Sequence, residues 1–240
     1  MPKACSCALV LCLLVSPAGA VCMIPRPRLV CAEFFKQRVV VIARMVGVRY
    51  VGPKGDAMDY HTYTMRTDRV LRGHIGTGFR IYEENSSGRA GFDWKIGESY
   101  LLFLSYFKED HGWQLDGCGN SGPLRQSGKV LSEIEKIEAA TDGGAITGEV
   151  WFHPGVMVIA QGTGGTFRTR ADSEGQFRLQ VPAGVYSVRA VQRGWRFVAQ
   201  DLSYELPRRL RIENGGCGQI AFVRVEPGEP QPPSERLPGR

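Results

Sequence analysis

RVVVIARMVGVRYV, residues 38–51, decides the fold. It is long, Val-rich and broken only by Gly47. Branched side chains favour an extended backbone, and a glycine inside a long strand marks a bend or bulge of the kind a barrel requires. Strands follow at intervals: YHTYTMRTDRVL (60–71) ended by Gly73, GFRIYE (78–83), SYLLFLSYF (99–107) and a short return over 113–118. The loops between them are polar and glycine-bearing, at 53–56, 84–88 and 108–112. The apolar run at 99–107 reads as a central strand, and five such strands suffice for a small closed barrel.

Val130, Leu131, Ile134 and Ile137 then recur at helical spacing among Glu133, Glu135, Lys136 and Glu138. This is an amphipathic helix with one apolar stripe, expected to cover an open face of the barrel and to be capped by Gly143-Gly144. TDGG (141–144) is a flexible boundary. Beyond it, seven short strands are expected over 146–152, 156–160, 166–170, 176–181, 186–192, 210–212 and 219–225. Phe177, Leu179 and Val181 alternate with Gln176, Arg178 and Gln180, so one face is buried and one is wet. The pattern specifies a two-sheet sandwich. The fold class is therefore mainly β: a five-stranded barrel with a helix after it (22–140), then a seven-stranded sandwich (145–226). The Pro-rich, polar tail 227–240 is expected to be disordered.

The N-terminus has the layout of a signal peptide: Lys3, an apolar run over 4–15, and an Ala-x-Ala pattern ending at Ala20, where cleavage is expected. The run is too short to cross a bilayer, and no second long apolar segment follows, so no transmembrane segment is expected in the mature chain. Four cysteines remain after cleavage: Cys22, Cys31, Cys118 and Cys217. In an oxidising compartment, secreted or periplasmic, they are disulfide candidates. Cys217 either pairs with Cys31 across the domains or stays free.

The net charge of +6 comes from Arg and Lys interleaved with Asp and Glu along the strands. No basic run forms a patch, and nucleic acid is set aside as a partner. No metal site is expected, because His61, His74, His111 and His153 stand far apart in sequence and no Cys-x-x-Cys occurs. The Gly76 and Gly162–Gly165 clusters lack the Lys-Ser/Thr of a phosphate cradle, so no cofactor is expected. No nucleophile elbow occurs, and no catalytic residue is assigned. Asn85-Ser-Ser87 is a glycosylation sequon. Trp195 and Phe197, close to Arg193 and Arg196, either form a contact surface for protein or glycan or plug the sandwich edge.

The order Cys22…Cys31, Val-rich strand, Phe92-x4-Gly97-x2-Tyr100-Leu-Leu-Phe and Cys118 resembles the netrin-like module, the OB-fold shared by tissue inhibitors of metalloproteinases and many secreted bacterial proteins. That resemblance implies a Cys22–Cys118 bridge. The inhibitory members begin with Cys-x-Cys and grip the protease zinc through the first cysteine. Ala20 stands at that position here and Ala90 at its partner's, so inhibition is not expected. The stretch 169–188, with Asp172-Ser-Glu-Gly175, Phe177, Leu179, Val181-Pro-Ala-Gly184 and Tyr186, resembles the carboxypeptidase regulatory-like domain, a transthyretin-like sandwich. Its motif encodes turns and core, and it implies no catalysis.

The expected function is a secreted or periplasmic non-enzymatic binding or structural protein with an unknown protein or glycan partner. The alternatives are a metalloprotease inhibitor-like protein and an accessory module of a secreted hydrolase.

Overall fold

The computed structural model describes residues 28–52, 59–84, 90–108, 112–200 and 209–225. The export segment, Cys22, the sequon at 85–87, His111 and the Pro-rich tail lie outside the described residues. Within them the chain is mainly β.

The first five strands are β1 (Val39–Val51), β2 (Tyr60–Arg72), β3 (Gly78–Glu84), β4 (Ser99–Phe107) and β5 (Gly112–Leu115). They pair in the order β1-β2-β3-β5-β4, and β4 returns to β1, so the sheet forms a ring. The seam between β3 and β5 is parallel and rests on the single pair Ile81↔Trp113. The bend expected near Gly47 appears as a register shift between Met45 and Gly47. Val39, Val41, Ala43 and Met45 point into the ring with Met65, Ile81, Tyr100 and Leu102. The alternate residues Val40, Leu101 and Phe103 point outward, where two helices cover them: α1 (Val30–Lys36) and α2 (Gly128–Ala139). This is why β4 reads as an unbroken apolar run: both of its faces are buried. Each such side chain contributes about 1.5–3 kcal/mol by leaving water.

α2 matches the expected amphipathic helix, but Gly143-Gly144 does not cap it. Ala140 is already extended at φ −74° and ψ 134°, and Gly144 opens the next strand. A short β6 (Gly122–Pro123) pairs with β4.

The remaining strands are β7 (Gly144–Val150), β8 (Met157–Gly162), β9 (Gly165–Arg170), β10 (Gln176–Val181), β11 (Gly184–Val191), β12 (Arg196–Gln200), β13 (Leu210–Ile212) and β14 (Cys217–Val225). They form two four-stranded sheets, β10-β7-β14-β12 and β13-β11-β8-β9. Ile146, Phe177, Ile220 and Phe222 from one sheet and Val158, Ala160, Tyr186 and Ile212 from the other share one core, which makes this a β-sandwich. The described strands number eight, not the expected seven, the additional one being β12. Trp151 and Phe152, expected inside the first strand, lie in the turn after β7. β7 and β14 run parallel. A Cβ on Gly148 would overlap the Ile220 carbonyl across that pair, so only glycine fits there.

The two halves meet where α1 lies beside β14. Cys31 and Cys217 form a disulfide with Cα atoms 5.2 Å apart, and the Leu29 N–H donates to Gln219 Oε1 at 3.1 Å. No helix among the described residues is long and apolar enough to cross a membrane.

Candidate functional site

Of the disulfide candidates, the structure joins Cys31 to Cys217 and so resolves the open alternative toward a bridge between the halves. Cys118 is also disulfide-bonded, and its expected pairing involves Cys22, outside the described residues. Among the described residues no group of three or more His, Cys, Asp or Glu side chains is close enough to hold a metal ion.

Among the described residues one carboxyl group is buried. Glu33, on α1, accepts hydrogen bonds at Oε2 from the Asn120 backbone N–H at 2.7 Å and from Asn120 Nδ2 at 2.6 Å, while Oε1 accepts none. Burial pushes its pKa up; the Asn120 bonds and the Arg28 charge oppose the shift. Arg28 pairs with Asp116 beside it, and Asn120 Nδ2 also reaches the Arg28 carbonyl at 2.9 Å. The group fastens α1 to the loop that carries Cys118. Glu33 itself is closed to solvent, while Arg28 and Asp116 beside it stay partly exposed.

A cleft of about 740 Å³ opens where the halves meet, lined by Cys31, Asp142, Arg178, Pro182, Asn214 and Cys217 among others. The disulfide and Gly143, Gly144, Gly215 and Gly216 are part of its lining. The Gly143 N–H donates to Asn214 Oδ1 at 2.8 Å, so the polar groups lining it are partly spent on each other.

The aromatic end of the sandwich is different. Phe222 on β14 faces the core, and Arg224, two residues on, keeps the same face but lies past it. Phe197 on β12 pairs opposite Arg224 and is half-buried against the core. Trp195 precedes it, 37% exposed. Arg224 lies over the Trp195 ring at 3.6 Å from its centroid, close enough for a cation–π contact. From the β7–β8 turn, His153 meets Trp195 edge-on at 4.5 Å and Phe197 at 5.7 Å. The interior face of the sheet thus continues beyond the core, into solvent.

The same turn holds Phe152, which is 92% exposed with a positive φ of 59°. No other non-glycine among the described residues has positive φ. A bulky side chain in this region is strained, and its ring contributes almost no burial in return. Trp151 beside it is also exposed, its indole donating to Glu149 Oε1 at 2.5 Å.

No protein-family model matches the chain, and no curated protein matches it either. The surface is therefore read from its own chemistry. Of the residues singled out in the sequence, Trp195 is exposed as a contact surface requires, while Phe197 also plugs the edge. Phe152, His153 and Arg224 were missed. The Pro154-Gly155 pair signals a turn at that point, but no local pattern reveals that His153 meets the rings of Trp195 and Phe197.

Proposed function

We propose that the chain is an exported, non-enzymatic binding protein, built from a netrin-like module and a carboxypeptidase regulatory-like module, and that the Trp195 end of the second module docks a protein partner. The observation that carries this reading is Phe152: a strained phenylalanine held almost wholly in water. Strain of this kind persists where the surrounding structure imposes it, and it concentrates at functional sites. Trp and Arg are the residues that dominate binding energy at protein interfaces, and Trp195 under Arg224 presents both. The export reading is supported by the signal-like N-terminus and by the Cys31–Cys217 bridge, since disulfides persist in oxidising compartments.

The test is affinity capture from the native exported fraction, comparing the wild-type chain with the Phe152→Ser/Trp195→Ala variant. At least one protein held by the wild type should be lost with the variant. Identical captured sets would refute the assignment of this surface. Mass spectrometry of the mature N-terminus checks export in the same preparation, with Val21 the expected first residue.

A further inference from the structure

The sequence scatters its arginines, but strand register gathers four of them. The sheet β13-β11-β8-β9 contains no acidic residue in any of its four strands. Its inward positions, such as Val158, Ala160, Tyr186 and Ile212, fill the core. Its outward positions carry Arg168, Arg170, Arg189 and Arg211, all exposed. Among the described residues none of the four takes part in an ion pair. Arg189 stands opposite Ile159, and Ile159 opposite Arg168, so these two cations lie two strands apart, about 10 Å. Arg170 follows Arg168 on the same face, about 7 Å along β9. Arg211 pairs with Val185, four residues before Arg189 on the neighbouring strand. The four therefore trace a diagonal of about 25 Å across an open sheet.

We infer that this face binds a linear anionic polysaccharide. Spread over about 25 Å, the four cations cannot all meet one small anion, but a polymer with repeated charges meets them in turn. Arg guanidinium pairs well with carboxylate and other oxyanions. Between the cations runs a neutral row, Ser187 opposite Gln161 and Gln161 opposite Thr166, all three exposed. These side chains donate and accept hydrogen bonds and suit the hydroxyls of a sugar rather than a lipid surface. Among the described residues this sheet presents no exposed aromatic side chain of the kind that anchors a protein interface. The site is separate from the Trp195 end and does not depend on it.

The test immobilises dextran sulfate, polygalacturonate and neutral dextran and titrates each with the purified full chain. Both charged polymers should bind and neutral dextran should not. The Arg168→Ser/Arg170→Ser/Arg189→Ser variant should weaken binding by at least about tenfold, with a shallower salt dependence. Arg168→Ser alone, a single exposed change that leaves the fold intact, should lose about threefold. A control variant, Arg44→Ser/Arg66→Ser/Arg80→Ser, removes the same charge from the ring and should change binding by less than about twofold. Trp195→Ala should leave it unchanged, which separates this proposal from the docking reading. Equal loss in the ring control would mean bulk charge alone and would overturn the inference. Poly-L-glutamate or phosphatidylglycerol vesicles binding as tightly as the polysaccharides would overturn it too.

Discussion

Replacing Phe152 with asparagine should stabilise the sandwich and abolish docking together. An L-residue in the left-handed region carries about 1–2 kcal/mol of strain. Asparagine relieves much of this because its short polar side chain bonds locally. Against that gain stands the burial lost with the ring. At 92% exposure, only about a tenth of the usual 1.5–3 kcal/mol for a buried phenylalanine is at stake, roughly 0.2 kcal/mol. The net gain is about 1 kcal/mol, and for a domain of this size that raises the unfolding midpoint by about 4–8 °C. Phe152→Gly should gain less, because glycine gives up roughly 0.5–1 kcal/mol more backbone entropy on folding. Thermal unfolding followed by tryptophan fluorescence reads the effect, since Trp151 adjoins the site in sequence and Trp195 packs against His153 of the same turn. A lower midpoint in Phe152→Asn, or partner capture that survives the change, would refute the claim that the strain is kept for binding.

Two other sites give independent checks. Glu33 is more basic in the folded chain than an ordinary carboxyl group, chiefly through burial, so the folded state holds its proton more tightly than the unfolded state does. That contribution is complete below the ordinary value of 4.5 and is lost as pH rises through the raised one. Glu33→Gln, which still accepts from Asn120 and never ionises, should therefore gain stability relative to wild type between pH 4 and pH 7; urea titrations at the two pH values showing no such change would remove the linkage. The Cys31–Cys217 bridge spans a sequence separation of 186, for which chain entropy gives about 5 kcal/mol. Cys31→Ser/Cys217→Ser should approach that loss in urea and expose the linker at 140–143 to protease, whereas a loss under about 1 kcal/mol would show that packing alone docks the halves.

The strands were legible because period-two alternation survives in the sequence wherever one face is buried. What alternation cannot show is which strand lies beside which. The return of β4 to β1, and the single pair that joins β3 to β5, are contacts between distant segments with no local signature. α1 went unseen because VCAEFFK is only seven residues; a helix that short is held by packing, here by Phe34 against the ring, and not by its own propensity. β12 has no clear alternation of its own: Trp195, Arg196 and Phe197, just after the Gly194 turn, fit a contact surface or an edge plug as well as a strand. The basic face was invisible for the same reason as the ring closure: Arg168, Arg189 and Arg211 are far apart in the chain, and only register makes them neighbours.

Both halves build their unusual surfaces in one way. β4 stops pairing with β1 at Arg44↔Ser99, yet β1 and β2 stay paired to Val51↔Tyr60. Val48 and Tyr50, opposite Tyr63 and His61, are therefore interior positions left exposed. In the sandwich, β12 and β14 outlast the core, and Trp195 and Arg224 stand where buried residues would otherwise be. In β12 and β14 the alternation runs on past the core, whereas in β1 the bulge between Met45 and Gly47 shifts it by one residue, so that Val48 and Tyr50 take the inward positions. In both halves the length of the neighbouring strand sets where core ends and exposed surface begins. Lengthening that cover, rather than altering the exposed residues, would be enough to close either surface.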